Sequence, residues 1–384
     1  MTIEIKKNML AVFLIIVLIS AVGYLISNQT KNSFPETITI GWIGPLSGNV
    51  KFLGIDNLNA VKMAVEEYNI NKNSNEPRVE LIFEDDQYDE NKSLTAYTNM
   101  INKGVKIIFI STYDGTLLLE QKADKDKVIL INPIDNDNQL AKLSKKNGTF
   151  LIAKRTEQLG ELLSEHILQN NKKNILVLYY SEDLFMPTVA KSLKENFENY
   201  GGKTNLIGYS IDLKNFSQLL EQGVAQQADT YIFLGYIETR KIAQQALEMN
   251  ISSIQDTHKF HTANTLIGEE FLHHFTYFTS EDGNKYEADK FLEEYEKKYN
   301  KKPIEEWTAL QAYDASHIVL NTIIISSKQK GDLIENIKNN ILSTKDFKGV
   351  SGNITIQPDG SALGIEWSMY SLENGKFTKE EKLN

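Results

Sequence analysis

The sequence predicts an α/β protein built from two doubly wound, Rossmann-like lobes, and three observations carry that expectation. Short apolar, β-branched runs alternate with stretches of helical periodicity, the pattern of a parallel sheet covered by helices on both faces. The same alternation begins again after about residue 150, so the architecture is duplicated. No short fixed repeat runs through either series, which excludes a solenoid. At 384 residues, 41% hydrophobic and 24% charged, the chain has enough apolar material for two or three domains.

Lys6 and Lys7 precede an uncharged, mostly apolar run from Met9 to Ser27. Its length lies between a signal-peptide core and a short membrane span. Two readings stand: a signal peptide cut near Ala21-Val22-Gly23, or an N-terminal transmembrane helix that anchors the chain with its lysines in the cytoplasm. Both export the body of the protein, so the expected location is extracytoplasmic, in the periplasm or on the outer face of the cell membrane. Residues 28–36 are polar and read as a linker.

The first strand is "TITIGWI" (Thr37 to Ile43), followed by a helix in which Leu58, Val61, Ala64, Val65 and Tyr68 recur at helical spacing. "VELIFED", "VKIIFIST" and "VILINP" are the next strands, with helices through "ENKSLTAYTNMINKG" and near "TLLLEQKADKD". In the second series a helix with Leu159, Leu162, Leu163 and His166 on one side precedes the strand "NILVLYY". A helix from about Thr188 to Tyr200, "GGKTNLIGYSI", a helix at "NFSQLLEQGVAQQ", the strand "DTYIFLGY" and a helix at "TRKIAQQALEMN" follow.

Between the first strand and helix lies "GPLSGNVKFLG". In open α/β sheets ligands bind beyond the carboxyl ends of the strands, where such loops converge. Glycines let the backbone approach a ligand, and Ser47 offers a hydroxyl or an amide at the start of the helix. Gly44, Gly48 and Lys51 match neither a phosphate loop nor a dinucleotide fingerprint. An ordinary strand-to-helix turn is the plain alternative.

Other chemistries find little support. A net charge of −10 without a dense basic run argues against nucleic acid. The absence of cysteine excludes disulfides, thiolate metal sites, cysteine nucleophiles and a lipid on cysteine. His258, His261, His273 and His274, with Glu269 and Glu270 between them, lack the His-Glu-x-x-His spacing of a zinc helix. "DNDN" from Asp135 starts like a calcium loop, but Leu140 and Lys146 occupy the positions that require glycine and glutamate. The pair in "EDD" (Glu84 to Asp86) reads as a structural strand end, and no G-x-S-x-G elbow occurs. The expectation is no enzyme, no cofactor and no metal.

"ITIGWIGPLSGNVKFLGIDNLNAVKMAVEEYN", "LIFEDDQYDENKSLTAYTNMINKGVKIIF", "ILINPIDN" and "ALQAYDASHIVLNTI" followed by "LSTKDFKGVSGNITIQPDG" resemble, in that order, segments of type I extracytoplasmic solute-binding proteins of ABC transporters, the group of branched-chain amino-acid and amide binders. The resemblance spans Thr37 to the end. It implies a periplasmic-binding-protein type I clamshell, a Venus flytrap, with three hinge crossings near 150–155, near 260–264 and in "STKDFKG". Lobe 1 is then 37–152 plus 263–343, and lobe 2 is 153–262 plus 344–384. A small-molecule ligand binds between the lobes and stabilises closure, an ABC permease in the membrane receives it, and the protein is a monomer or weak dimer. A component presenting its ligand to a separate signalling receptor is the alternative; with no second span or output domain before Asn384, the expectation is a stand-alone binding subunit.

Aligned on that family, the hydroxyl-bearing loop after the third strand falls on Tyr113 and Asp114, and the loop after the fourth on Ile134, Asp135 and Asn136. The tyrosine that lines lobe 2 falls on Phe185, "GYIE" keeps Tyr236 and Glu238, and the acid that pairs with a ligand amine falls near Thr262, Ala263 and Asn264, where no carboxylate stands. An aspartate at 114 and at 135 would repel a ligand carboxylate. The implied ligand is therefore small and polar or cationic, an amine, amide or amino-acid derivative held by Asp114 or Asp135 and packed on Trp42, Tyr113 or Phe185. Solvent-facing turn aspartates and a core Trp42 are the plain alternatives.

Overall fold

The computed structural model describes residues 20, 35–48, 50–144, 148–235, 238–251, 254–256, 276–279, 285–304, 306–373 and 376–379. Apart from residue 20, the apolar run at 9–27 lies outside them. No helix among the described residues is long and apolar enough to cross a membrane.

The first lobe opens with β1 (Thr37–Gly44), α1 (Lys51–Asn71), β2 (Arg78–Asp85), α2 (Glu90–Asn102), β3 (Ile107–Ile110), α3 (Tyr113–Asp126), β4 (Ile129–Asn132), α4 (Asn138–Ser144) and β5 (Thr149–Leu151). Its strands form one parallel sheet in the order β2-β1-β3-β4-β5. Ile43, Ile108, Ile110 and Leu130 face α2 and α3, while Ile40, Trp42, Phe109 and Ile131 join the core on the other side with α1. Leu58, Val61, Ala64, Val65 and Tyr68, the predicted apolar stripe of α1, are all buried.

The second series runs α5 (Thr156–Gln169), β6 (Asn174–Tyr180), α6 (Phe185–Asn199), β7 (Lys203–Tyr209), α7 (Ser217–Ala225), β8 (Thr230–Leu234), α8 (Thr239–Glu248) and β9 (Ile254–Asp256). Its parallel sheet has the order β7-β6-β8-β9, the same winding as the first. Leu159, Leu163 and Val189 from α5 and α6 cover one face, and Leu220, Ile242 and Ala246 from α7 and α8 the other. In each lobe the opening strand lies second from one edge, with the next strand added outside it and the later ones on its other side. The strand order reverses between β1 and β3 and between β6 and β8, and loops leaving such points form a crevice.

The remaining elements are β10 (Thr276–Thr279), α9 (Lys285–Tyr299), α10 (Glu306–Ser327), α11 (Leu333–Leu342), β11 (Phe347–Lys348), β12 (Asn353–Ile356), β13 (Ala362–Leu363), β14 (Ser368–Glu373) and β15 (Lys376–Lys379). Helix α10 is apolar on nearly every side because it lies between α1 and α11 inside the first lobe. Two placements differ from the expected division of the chain. Val350, Ile354, Ile356, Ala362 and Ile365 bury in the core of the first lobe, not the second. Buried Asp314 of α10 holds them there, accepting hydrogen bonds from Val350 N (2.8 Å) and Ser351 N (2.7 Å). Strand β10 pairs with β14 and lies beside β9, so it extends the second lobe. The chain passes from the first core at Ile152 to the second at Leu159, and again from Ile365 to Trp367. Among the described residues we propose lobes of 37–152 plus 285–365 and of 156–256, 276–279 and 367–379.

Candidate functional site

The acidic run "EDDQYDE" after β2 is a set of braces. Asp85 accepts Leu46 N–H (2.8 Å), Ser47 Oγ–H (2.6 Å) and Gln87 N–H (2.9 Å), tying the loop after β1 to the loop after β2. Burial pushes the Asp85 carboxyl up, but these donors, Ser47 foremost, outweigh it and hold the group below the usual carboxylate range. Fully buried Asp86 accepts Tyr88 N–H, Ser93 Oγ–H and, at 2.5 Å, Thr112 Oγ1–H from the end of β3. Asp89 caps α2 through Asn91 N–H and Lys92 N–H. Between these anchors Gln87 and Tyr88 both take left-handed backbone conformations, φ 54° and 61°. For residues with a Cβ this costs about 1–2 kcal/mol each, and the aspartate hydrogen bonds hold it in place.

From that backbone Tyr88 comes within electrostatic reach of Asp135, Asp183, Asp114 and Asp86. Burial first, and then these four carboxylates, push its phenol well above the ordinary range. The residue as a whole is half-buried. Asp114 stands in the first turn of α3 and is half-buried, its carboxyl raised by burial. Asp135 is 3% exposed. Its loop is folded by Asn132, whose Oδ1 accepts Ile134 N–H and Asp135 N–H at 2.8 Å each and whose Nδ2 donates to Asp135 Oδ2 at 3.1 Å. Burial pushes the Asp135 carboxyl up to about 7, and Asp137, Asp183 and Asp114 add to the rise against the opposing Asn132 bond.

The second lobe supplies buried Asp183, held by Met186 N–H at 3.0 Å as α6 begins, and half-buried Phe185. Beside them runs the first crossing. Lys154 N–H donates to Gln311 Oε1 of α10, and the Lys154 ammonium packs on the rings of Trp367 (3.8 Å) and Trp307 (5.3 Å). Trp367 Nε1–H donates to Arg155 O at 2.9 Å, and Phe185 tilts against the same ring.

Two parallel sheets of one winding match known proteins. The family description "Periplasmic binding protein" fits residues 37–375 of this chain. The chain belongs to the periplasmic binding protein family. A Leu/Ile/Val-binding protein of Rhizobium johnstonii is 24% identical over 353 residues, 90% of this chain and 94% of the relative. Among solved structures, the branched-chain amino acid transporter substrate binding protein of Streptococcus pneumoniae, in complex with isoleucine, is 23% identical and covers 90% of this chain and 100% of its own, with a TM-score of 0.76. A leucine binding protein of Thermotoga maritima is 21% identical and covers 90% and 98%, with a TM-score of 0.75. The type I fold expected from the sequence is thereby confirmed, as is a solute-binding role outside the cytoplasm.

In this periplasmic binding protein the residues singled out from sequence divide into four groups. Asp114 and Asp135 act electrostatically on Tyr88 together with Asp183, and Phe185 packs against Trp367. Ser47 braces Asp85, Asn136 donates to Ala153 O and Ala362 O and so ties crossing segments together, and Glu238 accepts the Tyr209 hydroxyl at 2.8 Å. Tyr113 is 2% exposed, packed with Leu140 and Leu151, its hydroxyl turned toward Asp137. Trp42 is a core residue whose Nε1–H donates to Asn57 Oδ1. Tyr236 and Ala263, with His258, His261, His273 and His274, lie outside the described residues. Among the described residues no group of three or more acidic or histidine side chains is placed to hold a metal. Sequence reasoning missed Tyr88, Asp183, Lys154, Trp307 and Trp367. Asp183 had a readable signal, its place in the loop after "NILVLYY".

Proposed function

We propose that this protein is the solute-binding subunit of an ABC importer and that it takes a small, positively charged solute, an amine or amino-acid derivative, between its lobes for delivery to a membrane permease. One observation carries the reading: carboxylates from both lobes, Asp114 and Asp135 on one side and Asp183 on the other, act together on the point occupied by Tyr88. A cation bound beside Tyr88 offsets their mutual repulsion, and it does so most strongly when the lobes close and water leaves. Closure then depends on the ligand because only the ligand's charge relieves both walls. The apolar run at Met9 to Ser27 fits export by a signal or an anchor.

A branched-chain amino acid is the second reading, supported by the names of the relatives. Its ammonium group suits the same carboxylates, whereas its own carboxylate needs a donor elsewhere in the cleft. Thermal unfolding in the presence of putrescine, choline, isoleucine and benzamide tests the two. A ligand at a hundredfold excess over its dissociation constant adds about 2.7 kcal/mol of stability. A shift with putrescine or choline supports the cationic solute; a shift with isoleucine alone supports the second reading and removes the first.

A further inference from the structure

The first and last crossings between the lobes are bonded to each other, once from each side. From the first lobe the bridge is a single amide. Asn136, 1% exposed in the loop after β4, donates through Nδ2 to Ala153 O (2.8 Å) on one strand of the hinge and to Ala362 O (3.1 Å) on the other. Two acceptors use both amide protons, so this side chain has none left for a ligand. Its backbone carbonyl accepts Thr156 N–H at 2.8 Å, and parallel bridges join Asn136 to Arg155 and Leu151 to Ser361. From the second lobe the bridge is an indole. Trp367, packed in the second core, donates Nε1–H to Arg155 O at 2.9 Å. Between the two bridges the Lys154 ammonium packs on the Trp367 ring, and Lys154 N–H is held by Gln311 Oε1 at 2.8 Å.

The chain changes core between Ile152 and Leu159 and between Ile365 and Trp367, so backbone torsions there absorb any rotation of one lobe on the other. Two strands that turn separately allow many lobe orientations. Strands bonded together at both ends turn together, and the range narrows. Ala153 and Ala362 are both buried, so removing the amide leaves their carbonyls short of that donor and loosens the spacing of the strands.

We infer that Asn136 is a hinge-positioning residue: with Trp367 it fixes the first crossing to the last and so limits how the second lobe turns on the first. Asn132 O, which accepts Ile152 N–H at 2.8 Å, attaches the loop carrying Asp135 to the same hinge strand. The inference is independent of the charge of the ligand.

The chain has no cysteine, so Lys125→Cys on α3 and Glu221→Cys on α7, both at exposed positions, place one spin label on each lobe. Double electron–electron resonance on the full-length protein without added solute reads the distribution of interlobe distances. Asn136→Ala is expected to widen that distribution by about twofold or more. Trp367→Phe, which keeps a ring beside Lys154 and deletes the indole N–H, should widen it as well, and it decides the matter if Asn136→Ala does not fold. Ser144→Ala is the control, because it deletes a bond of similar length to the same C-terminal stretch, Ser144 Oγ–H to Asp359 O at 2.8 Å, away from the crossings. It should lower the melting point and leave the width at the wild-type value. An unchanged width in Trp367→Phe or in folded Asn136→Ala, or an equal widening in Ser144→Ala, overturns the hinge role and leaves Asn136 as a loop brace.

Discussion

The Lys154 ammonium lies 3.8 Å from the centroid of the Trp367 ring, so a charge on the first crossing of the chain packs against an aromatic residue on the last. Trp307, at the start of α10, approaches Trp367 at 5.8 Å between centroids and faces the same ammonium. The cluster joins both lobes at the hinge. Trp367→Leu leaves the buried Lys154 charge without its nearer ring, removes the Nε1–H bond to Arg155 O, and is expected to cost about 3–5 kcal/mol in urea unfolding. Trp367→Phe keeps a ring face and loses the N–H, for about 1–2 kcal/mol. Two of the three tryptophans sit here while Trp42 is in the core, so ligand-dependent fluorescence should arise from Trp307 and Trp367, and Trp42→Phe should retain it.

Asp135 makes binding and stability depend on pH in opposite directions. Burial holds its carboxyl at about 7 against an ordinary 3.8. Between those values the unfolded chain releases this proton and the folded chain keeps it, so the group's contribution to stability falls as pH rises through the window and levels off above about 7. Asp135→Asn can still accept from Asn132, and its melting-point advantage over wild type should grow from pH 4 to pH 8. A cationic ligand needs the ionised form, so wild-type affinity for it should rise as pH passes 7, and the Asn variant should lose that dependence. A pH-independent difference in melting point between the two proteins contradicts the assignment.

Glu120 of α3 is 0% exposed and neither carboxyl oxygen has a hydrogen-bond partner among the described residues. Burial, with a further push from Asp137, raises it from 4.5 to about 8, so it is neutral at pH 7. Its contribution to stability therefore declines as pH climbs from about 4.5 to about 8. Glu120→Met fills a similar volume without polar atoms and is expected to gain about 1–3 kcal/mol at neutral pH. The midpoint of urea unfolding checks this, and the gain should be larger at pH 8 than at pH 5.

What could be read from the sequence, and what could not, follows the range of the interactions. Strand β1 and the stripe of α1 depend on periods of two and of 3.6 residues, which one segment displays by itself. The run from Val350 to Ile365 displays its burial equally well, but apolar alternation does not say against which core, and Asp314 decides that from 36 residues away. Asn136 resembles a ligand amide in its loop, yet its partners are carbonyls at residues 153 and 362. Tyr88 was hidden for a different reason. Left-handed backbone at two consecutive residues without glycine is improbable from local propensity, and here Asp85 and Asp86, each anchored to a distant segment at Ser47 or Thr112, hold it through bonds to Gln87 N–H and Tyr88 N–H.

The loop after β1 offers a test in which two glycines of one motif should behave differently. A Cβ on Gly54, in the first turn of α1, would lie 1.9 Å from Pro45 O, a backbone atom that no side-chain rotation can move away. Gly48 has φ +83° but nothing within 4 Å of its would-be Cβ. Gly54→Ala must therefore displace the β1–α1 loop and disturb the Leu46 and Ser47 bonds to Asp85, with an expected loss of about 2–3 kcal/mol. Gly48→Ala meets only backbone strain, about 1 kcal/mol. Because Asp85 also anchors Gln87, Gly54→Ala should weaken cation binding along with stability, and Gly48→Ala should leave binding close to wild type. Equal stability losses for the two variants would mean that the close approach to Pro45 is not what places glycine at position 54.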